Sequence, residues 1–269
     1  MKATVYSIKG EKVKQIDLPI QFEEEYRPNI IRRAFLVIRS HLRQPYGAKP
    51  KAGQRSSAVL SRRRRDYKTS YGHGISRIPR KTIWRRGRQF GWVGAFAPGT
   101  VGGRRAHPPK AEKIWELKIN KKERKKAIRS AIAATANLNL VKERNPTLSL
   151  SLPIIIESEF EKVNKTKEVK KILENLGLKK ELERTEKKKI RAGKGKMRNR
   201  KYKKKVGPLI VVSYDCPLLK AAPNIPGVDI CPINSLNALL LAPGSKPGRL
   251  TIYTESAIEN LRTKKLFLS

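Results

Sequence analysis

LIVVSYDCPLLKAAPNIPGVDICPINSLNALLLAPGSKPGRLTIYTESAIENL, residues 209–261, sets short apolar runs between helix-forming stretches. Leu209–Val212 predicts a strand and residues 217–222 a short helix. Val228–Cys231 predicts the next strand, followed by a helix over 235–241. A third strand over 250–253 and a closing helix from Glu255 to about Leu261 complete the series. Strands that are apolar without alternation are buried on both faces, and a helix between each pair lets them run parallel. The fold class predicted is α/β, a mainly parallel sheet covered by helices.

Upstream segments extend the same scaffold. Residues 3–8 predict an early strand. Pro28 stands where the first turn of a helix tolerates proline, and Ile31, Ala34, Phe35, Ile38 and Leu42 follow at helical spacing, which predicts a helix over 29–43. Asn120 and Glu123 have the spacing of a capping box ahead of Ala127, Ile128, Ala131, Ile132, Ala134, Thr135 and Leu138. The small residues on that face permit close approach to a neighbour. LPIII at 152–156 predicts a short buried strand, and 167–176 a helix stopped by Gly177. A further helix over 179–186 runs into a basic stretch.

Charge divides the chain more sharply than hydropathy does. Its 269 residues carry 62 Lys+Arg against 22 Asp+Glu, a formal net charge of +40. Self-repulsion on that scale argues against a compact soluble enzyme working apart from a polyanion, and points to nucleic acid more than to anionic membrane. Residues 43–110 hold 13 Arg, five Lys and one acid, Asp66; residues 184–205 hold nine Lys, four Arg and one acid, Glu186. The last 64 residues hold six Lys+Arg and four acids, as an ordinary globular domain would. The division expected is therefore a scaffold of 1–43, 111–183 and 206–269, interrupted by a long basic internal loop over 44–110 and a second basic excursion over 184–205. Both excursions are rich in Gly or Lys and lack a sustained period of two or 3.6, so each is expected to lack regular structure until a partner orders it.

Several enzyme and cofactor readings lose ground to simpler ones. Cys216 and Cys231 form no CxxC pair, and His41, His73 and His107 lie far apart, so neither a zinc site nor a disulfide framework is expected. Gly91–Gly94, Gly99–Gly103 and Gly193–Lys196 miss the GxxxxGK[ST] pattern and serve better as turns, or as places where the chain passes close to a phosphate backbone. Asp215 and Asp229 fall near strand ends, where α/β enzymes place catalytic groups, but a helix cap or turn former is the simpler role. The acids nearest the loop interior, Asp66 and Glu112, make no metal-binding cluster. No catalytic residue and no cofactor is assigned. The start of the chain shows no signal peptide, and its apolar runs are too short to span a bilayer, so a reducing cytoplasm is the compartment expected.

The basic loop interleaves its arginines with Tyr67, Tyr71, Trp84, Phe90, Trp92 and Phe96. Guanidinium forks bind phosphate, and both guanidinium planes and aromatic rings stack on unpaired bases. A localisation signal needs only a few cations, such as Arg62–Arg65, and leaves the aromatics unexplained. Folded RNA suits irregular coil better than a duplex major groove does, because no helix here carries the cations as a recognition helix would. The RNA-contact candidates are Arg55, Arg62, Arg63, Arg64, Arg65, Tyr67, Lys68, Tyr71, His73, Arg77, Arg80, Lys81, Trp84, Arg85, Arg86, Arg88, Phe90, Trp92, Arg104 and Arg105. His73 serves equally well as a turn residue. In the lysine-rich excursion Lys194, Lys196, Arg198, Arg200, Lys201, Lys203 and Lys204 are expected to neutralise phosphate with little base readout.

SRIPRKTIWRRGRQFGWVGAFAPGTVGGRRAHPPK at 76–110, the preceding RSSAVLSRRRRDYKTSYGHG, and DICPINSLNALLLAPG at 229–244 together resemble the large-subunit ribosomal protein number four family, the universal L-four family, in its archaeal and eukaryotic form. The likeness covers residues 1–269, and an end soon after the last helix favours the archaeal form. The resemblance implies a structural, non-enzymatic constituent of the large ribosomal subunit that binds large-subunit ribosomal RNA and assists assembly. It also implies a loop lining the peptide exit tunnel beside the L-twenty-two family protein, with Arg77, Arg80, Trp84, Arg85, Arg86, Arg88, Phe90 and Trp92 on that loop. No membrane, small-molecule substrate or obligate homo-oligomer is implied. An RNA-processing enzyme, or a free RNA chaperone or chromatin-type binder, are the competing classes.

Overall fold

The computed structural model describes residues 1–66, 68–87, 89–145 and 151–268. Ten strands occur among them: β1 Lys2–Tyr6, β2 Lys12–Asp17, β3 Arg80–Arg86, β4 Gln89–Gly94, β5 Ile154–Ile156, β6 Lys189–Ile190, β7 Tyr202–Lys203, β8 Leu209–Val212, β9 Asp229–Pro232 and β10 Thr251–Thr254. The α-helices are α1 Pro28–His41, α2 Lys121–Ala136, α3 Leu138–Arg144, α4 Thr166–Asn175, α5 Lys179–Glu186, α6 Leu218–Ala221, α7 Ala238–Leu241 and α8 Glu255–Thr263. The chain divides into two units, Met1–Leu42 with Glu116–Ser269, and Arg43–Trp115.

The first unit is built on a six-stranded sheet of order β2-β1-β5-β10-β8-β9. Every neighbouring pair is parallel except β1 with β2. Side-chain alternation explains the continuous apolar runs. Ile154 and Ile156 of β5, with Ile210 and Val212 of β8, pack with Val169 and Leu173 of α4, Leu182 of α5 and Leu218 of α6. Ile155, Leu209 and Val211 point the other way, onto Ile31 of α1, Ile128 and Ile132 of α2, and Ile258 and Leu261 of α8. Neither face of a central strand meets water, so its side chains are apolar, or polar only with an internal partner, as Thr251 and Thr254 of β10 are. Each such side chain contributes about 1.5–3 kcal/mol by its burial.

Local signals and structure agree at α4, which closes in a Schellman motif. Gly177 has φ +76°, its N–H donates to Glu174 O, and Leu178 N–H donates to Leu173 O. Elsewhere the structure corrects the sequence reading. Edge strand β2 was not anticipated, because its residues are mostly exposed and give no apolar pattern. Leu42 is exposed just past the end of α1, and Val37, outside the predicted stripe, is buried. Asn120 occupies the N-cap of α2 without a side-chain hydrogen bond, and Glu123 pairs instead with Arg33 at 3.0 Å. The helical run to Leu138 is broken at Asn137, whose Oδ1 accepts from Asn139 N at 3.0 Å and caps α3.

The second unit is a different kind of object. The expectation of no periodic element is overturned by an antiparallel hairpin, with Arg80 opposite Gly94, Thr82 opposite Trp92 and Arg86 opposite Gln89. A bulge between Thr82 and Trp84 shifts its register. Gly87, at φ +56°, follows β3 directly and adopts the left-handed conformation that glycine tolerates. The Trp84 ring lies against Gly91: a Cβ there would fall 2.1 Å from Trp84 Nε1, so the ring would have to move. Ala95 is the one buried apolar residue among the described residues of this unit. A two-stranded ribbon without a core is marginal in water, so backbone pairing alone does not make it rigid. In the lysine-rich excursion, β6 and β7 form a second short antiparallel ladder, also unanticipated.

Candidate nucleic-acid interface

In the β3–β4 hairpin β3 displays its side chains, and β4, with Phe90 and Trp92, is half-buried. Lys81, Thr82, Ile83, Trp84, Arg85 and Arg86 are all exposed, with Ile83 at 63% and Trp84 at 53%. Cations and rings are paired along it. The Arg85 guanidinium lies 5.5 Å from the Phe90 ring centroid and its Nε donates to Gly87 O at 3.1 Å. Phe90 and Trp92 lie 6.0 Å apart and tilted. Trp92 Nε1 is buried without an acceptor. Arg80 is turned inward, donating to Ser76 O at 2.5 Å and Ile78 O at 3.3 Å, so its fork is partly engaged within the loop. Exposed apolar rings among cations suit a partner that is both anionic and stackable, as unpaired RNA is.

Before the hairpin, Arg62, Arg63, Arg64 and Arg65 form an exposed turn. Arg77 stands over the Tyr71 ring at 5.6 Å, and its Nη1 reaches Tyr71 OH at 3.5 Å. Tyr71 is half-buried, Lys68 intermediate, His73 and Arg77 exposed. Arg55 is exposed, with a long 3.4 Å bond from its Nη2 to Pro50 O; Arg104 is half-buried and Arg105 exposed. Tyr67 and Arg88 lie outside the described residues. Lys194, Lys196, Arg198, Arg200, Lys201, Lys203 and Lys204 are exposed. Their hairpin is held by Arg191, whose Nε donates to Arg200 O at 3.0 Å, and Lys201 lies 5.6 Å from the Tyr202 ring.

Sequence reasoning missed the root of the loop. Tyr46 stacks on Trp115 at 5.6 Å with 18° between planes, Arg43 lies 3.6 Å from the Trp115 centroid, and Lys113 lies 4.4 Å away. These residues, with Ala48 N donating to Pro109 O at 3.0 Å, join the two arms. Beside them is an open cavity of about 790 Å³ lined by Tyr46, Arg105, His107, Lys110, Lys113 and Trp115. An aromatic pair at the two ends of the loop, Tyr46 near its start and Trp115 just past its end, was the available signal.

The enzyme-like candidates resolve into scaffold. Asp229 is neither cap nor turn former: it opens β9, and its Oδ2 accepts from the buried Arg249 Nη2 at 2.5 Å. Arg249 also donates to Gly207 O and Leu240 O, each at 2.9 Å. Burial pushes the Cys231 thiol up to about 12, and burial raises Cys216 as well, so both are held as thiols. Glu161, which sequence reasoning did not single out, is a buried carboxylate beyond the C-terminal ends of β8 and β10. It accepts from Ser213 N, Ser213 Oγ, Thr254 Oγ1 and Ser256 Oγ at 2.6–2.8 Å. Burial alone would raise its pKa; the hydrogen bonds from Thr254, Ser213 and Ser256 outweigh that and hold it below its ordinary value. Among the described residues no group of three or more His, Cys, Asp or Glu could hold a metal, and no helix is long and apolar enough to cross a membrane.

A mainly parallel sheet covered by helices, in a chain whose second unit is cationic and almost coreless, is the architecture of a scaffold protein that displays positive charge. The chain belongs to the Ribosomal protein L4/L1 family, which it matches over residues 16–264. It is 52% identical over 268 residues to the large ribosomal subunit protein uL4 of Nanoarchaeum equitans, covering 99% of this chain and 100% of that protein. It is 51% identical to the protein of that name from Methanocaldococcus jannaschii, over 98% of this chain and 99% of that one. The corresponding Archaeoglobus fulgidus protein is 47% identical over 97% of this chain and 98% of its own length.

Proposed function

We propose that this chain is a non-enzymatic structural constituent of the large ribosomal subunit, acting in the cytoplasm by binding and stabilising large-subunit ribosomal RNA during and after assembly. Residues 1–43, 111–183 and 206–269 form the scaffold that holds it on the particle. Residues 44–110 thread between RNA segments toward the peptide exit tunnel, beside the L-twenty-two family protein, and residues 184–205 neutralise further phosphates. The observation that carries this reading is a unit, Arg43–Trp115, that leaves its described cations and rings exposed or half-exposed while burying a single apolar side chain among its described residues. Such a segment gains too little from its own contacts to offset about 1–2 kcal/mol of backbone entropy per ordered residue. A large RNA surface supplies the difference. With roughly ten phosphate contacts, binding to duplex RNA would weaken with a log–log salt slope near −9.

Residue-resolved crosslinking of the chain in native large subunits, after a high-salt wash, tests the proposal. Crosslinks from residues 62–105 and 194–204 to ribosomal RNA are expected, with the hairpin facing the tunnel. Loss of the protein in the wash, or crosslinks confined to the scaffold, defeats it.

A further inference from the structure

Asp66 is the one acid within residues 43–110, a segment that otherwise carries 18 Lys+Arg. A carboxylate in the middle of an RNA-binding surface repels phosphate, so charge alone would favour any other residue there. Its surroundings give it a different task. Ser61 Oγ donates to Asp66 Oδ2 at 2.5 Å, across the four-arginine turn, and the same Oγ accepts from Arg63 N at 3.3 Å. Thr69 N donates to Asp66 O at 3.2 Å, and Thr69 Oγ1 donates to Arg63 O at 2.7 Å. Ser61 and Thr69 also form an isolated β-bridge. Arg65 and Lys68 take left-handed φ values of +59° and +58°, which is how so short a segment turns back on itself. At the foot, Thr69 and Ser70 are buried, while Arg62, Arg63, Arg64 and Arg65 stay exposed on the arc.

We infer that Asp66 is a positioning residue of the RNA interface: through Ser61 it closes the turn that presents Arg62–Arg65 as one preorganised cluster of phosphate-binding forks. The inference rests on the RNA-binding reading above and deepens it. Four arginines on an open chain each lose conformational freedom on meeting phosphate; on a closed turn the backbone share of that loss is already met. The clip therefore raises affinity even though its own charge opposes binding.

Opposite signs make the idea testable in the full-length chain. Asp66→Asn and Asp66→Ala change the charge identically, but only the amide keeps an oxygen that Ser61 can donate to. Filter binding to a transcript of large-subunit ribosomal RNA over a salt series is expected to rank Asp66→Ala roughly three- to tenfold weaker than Asp66→Asn, the range one hydrogen bond commands. Ser61→Ala, which leaves the charge untouched, should fall below the wild type by a similar factor, and adding it to Asp66→Ala should cost less than it does alone, since only the longer Arg63 N contact is then left to lose. A second readout needs no RNA. Trypsin should cut after Arg62–Arg65 faster in Asp66→Ala than in Asp66→Asn, with cutting of the scaffold unchanged. Equal affinities and equal cleavage for the two Asp66 variants overturn the inference. If the wild type ignores the transcript while the two variants still differ toward trypsin, the RNA reading fails and the clip stands.

Discussion

The two units of this chain solve opposite problems with the same alphabet. Around the six-stranded sheet, Ile154, Ile155 and Ile156 are all fully buried, and the helices on either side exist to cover them. Along β3, seven residues of strand leave six side chains exposed, Ile83 and Trp84 among them. Hydrogen-bonded pairing is present in both. What separates them is where the apolar surface goes: the scaffold hides it internally and the loop leaves it for something else. Secondary structure is thus a poor guide to independent stability here, and the presence of a covered face is the better one.

The strongest way to break that contrast is to remove the loop's outer part. Deleting residues 60–95 takes away eleven Lys+Arg but no residue of the sheet clusters. The remaining chain should melt within a few degrees of the intact protein, while affinity for ribosomal RNA collapses and the salt slope flattens by about 0.7–0.9 per lost contact. A large drop in melting temperature by circular dichroism would show that the scaffold leans on the loop after all. The converse change is Ile155→Ala, in the middle of β5, which should cost about 2–5 kcal/mol in denaturant unfolding. Because the variant is still folded at low temperature, its salt slope for RNA should match the wild type.

A smaller change sharpens the scaffold side. Glu161→Gln replaces an acceptor that takes four bonds with an amide that cannot accept them all; Ser213 N, a fixed donor, is the hardest to satisfy otherwise. The expected cost near neutral pH is about 1–3 kcal/mol, the range for a buried group left unpaired. Its pH dependence has a definite sign. The folded pKa of Glu161 is held below the ordinary value, so its stabilisation is fully present above the unfolded carboxyl's pKa of about 4.3 and is lost as pH falls through the lower folded value. Denaturation curves should therefore show the gap between wild type and Glu161→Gln closing below about pH 4. A gap that stays constant from pH 7 to pH 2.5 would mean the carboxylate's charge is not what the site uses.

Legibility followed the same division. Leu209–Val212 could be read as a strand because burial on both faces makes every residue apolar, a pattern visible in one dimension; 250–253 keeps it except at Thr251, whose buried hydroxyl donates to Arg249 O. The hairpin RKTIWRRGRQFGWVG could not, since neither of its faces is a core: cations occupy positions where alternation would normally show. Asp66 and the cations around it were legible as composition, but the turn they make was not, because it depends on a serine five residues back and two left-handed backbone positions. Glu161 was invisible for another reason. Its donors, Ser213, Thr254 and Ser256, lie 52 to 95 residues away in sequence, and only the parallel order of β8 and β10 brings them together.

The finest test lies inside the hairpin, between side chains that differ in how far the loop already uses them. Arg80 donates to Ser76 O and Ile78 O, whereas Arg86 is exposed on the β3 side of the turn and Arg85 is half-engaged, on Phe90 and Gly87 O. If exposure marks a phosphate contact, Arg86→Ala should reduce the salt slope for ribosomal RNA by about one contact's worth and Arg85→Ala by the same or slightly less. Arg80→Ala should act differently, loosening the loop locally through two lost carbonyl partners while the slope stays near that of the wild type. Equal slope losses for Arg80 and Arg86 would mean that bound RNA pulls Arg80 off its internal acceptors. The hairpin seen in the free chain would then be a starting point that binding rearranges, and the contrast between a scaffold fixed by its own core and a loop fixed by its partner would extend to individual side chains.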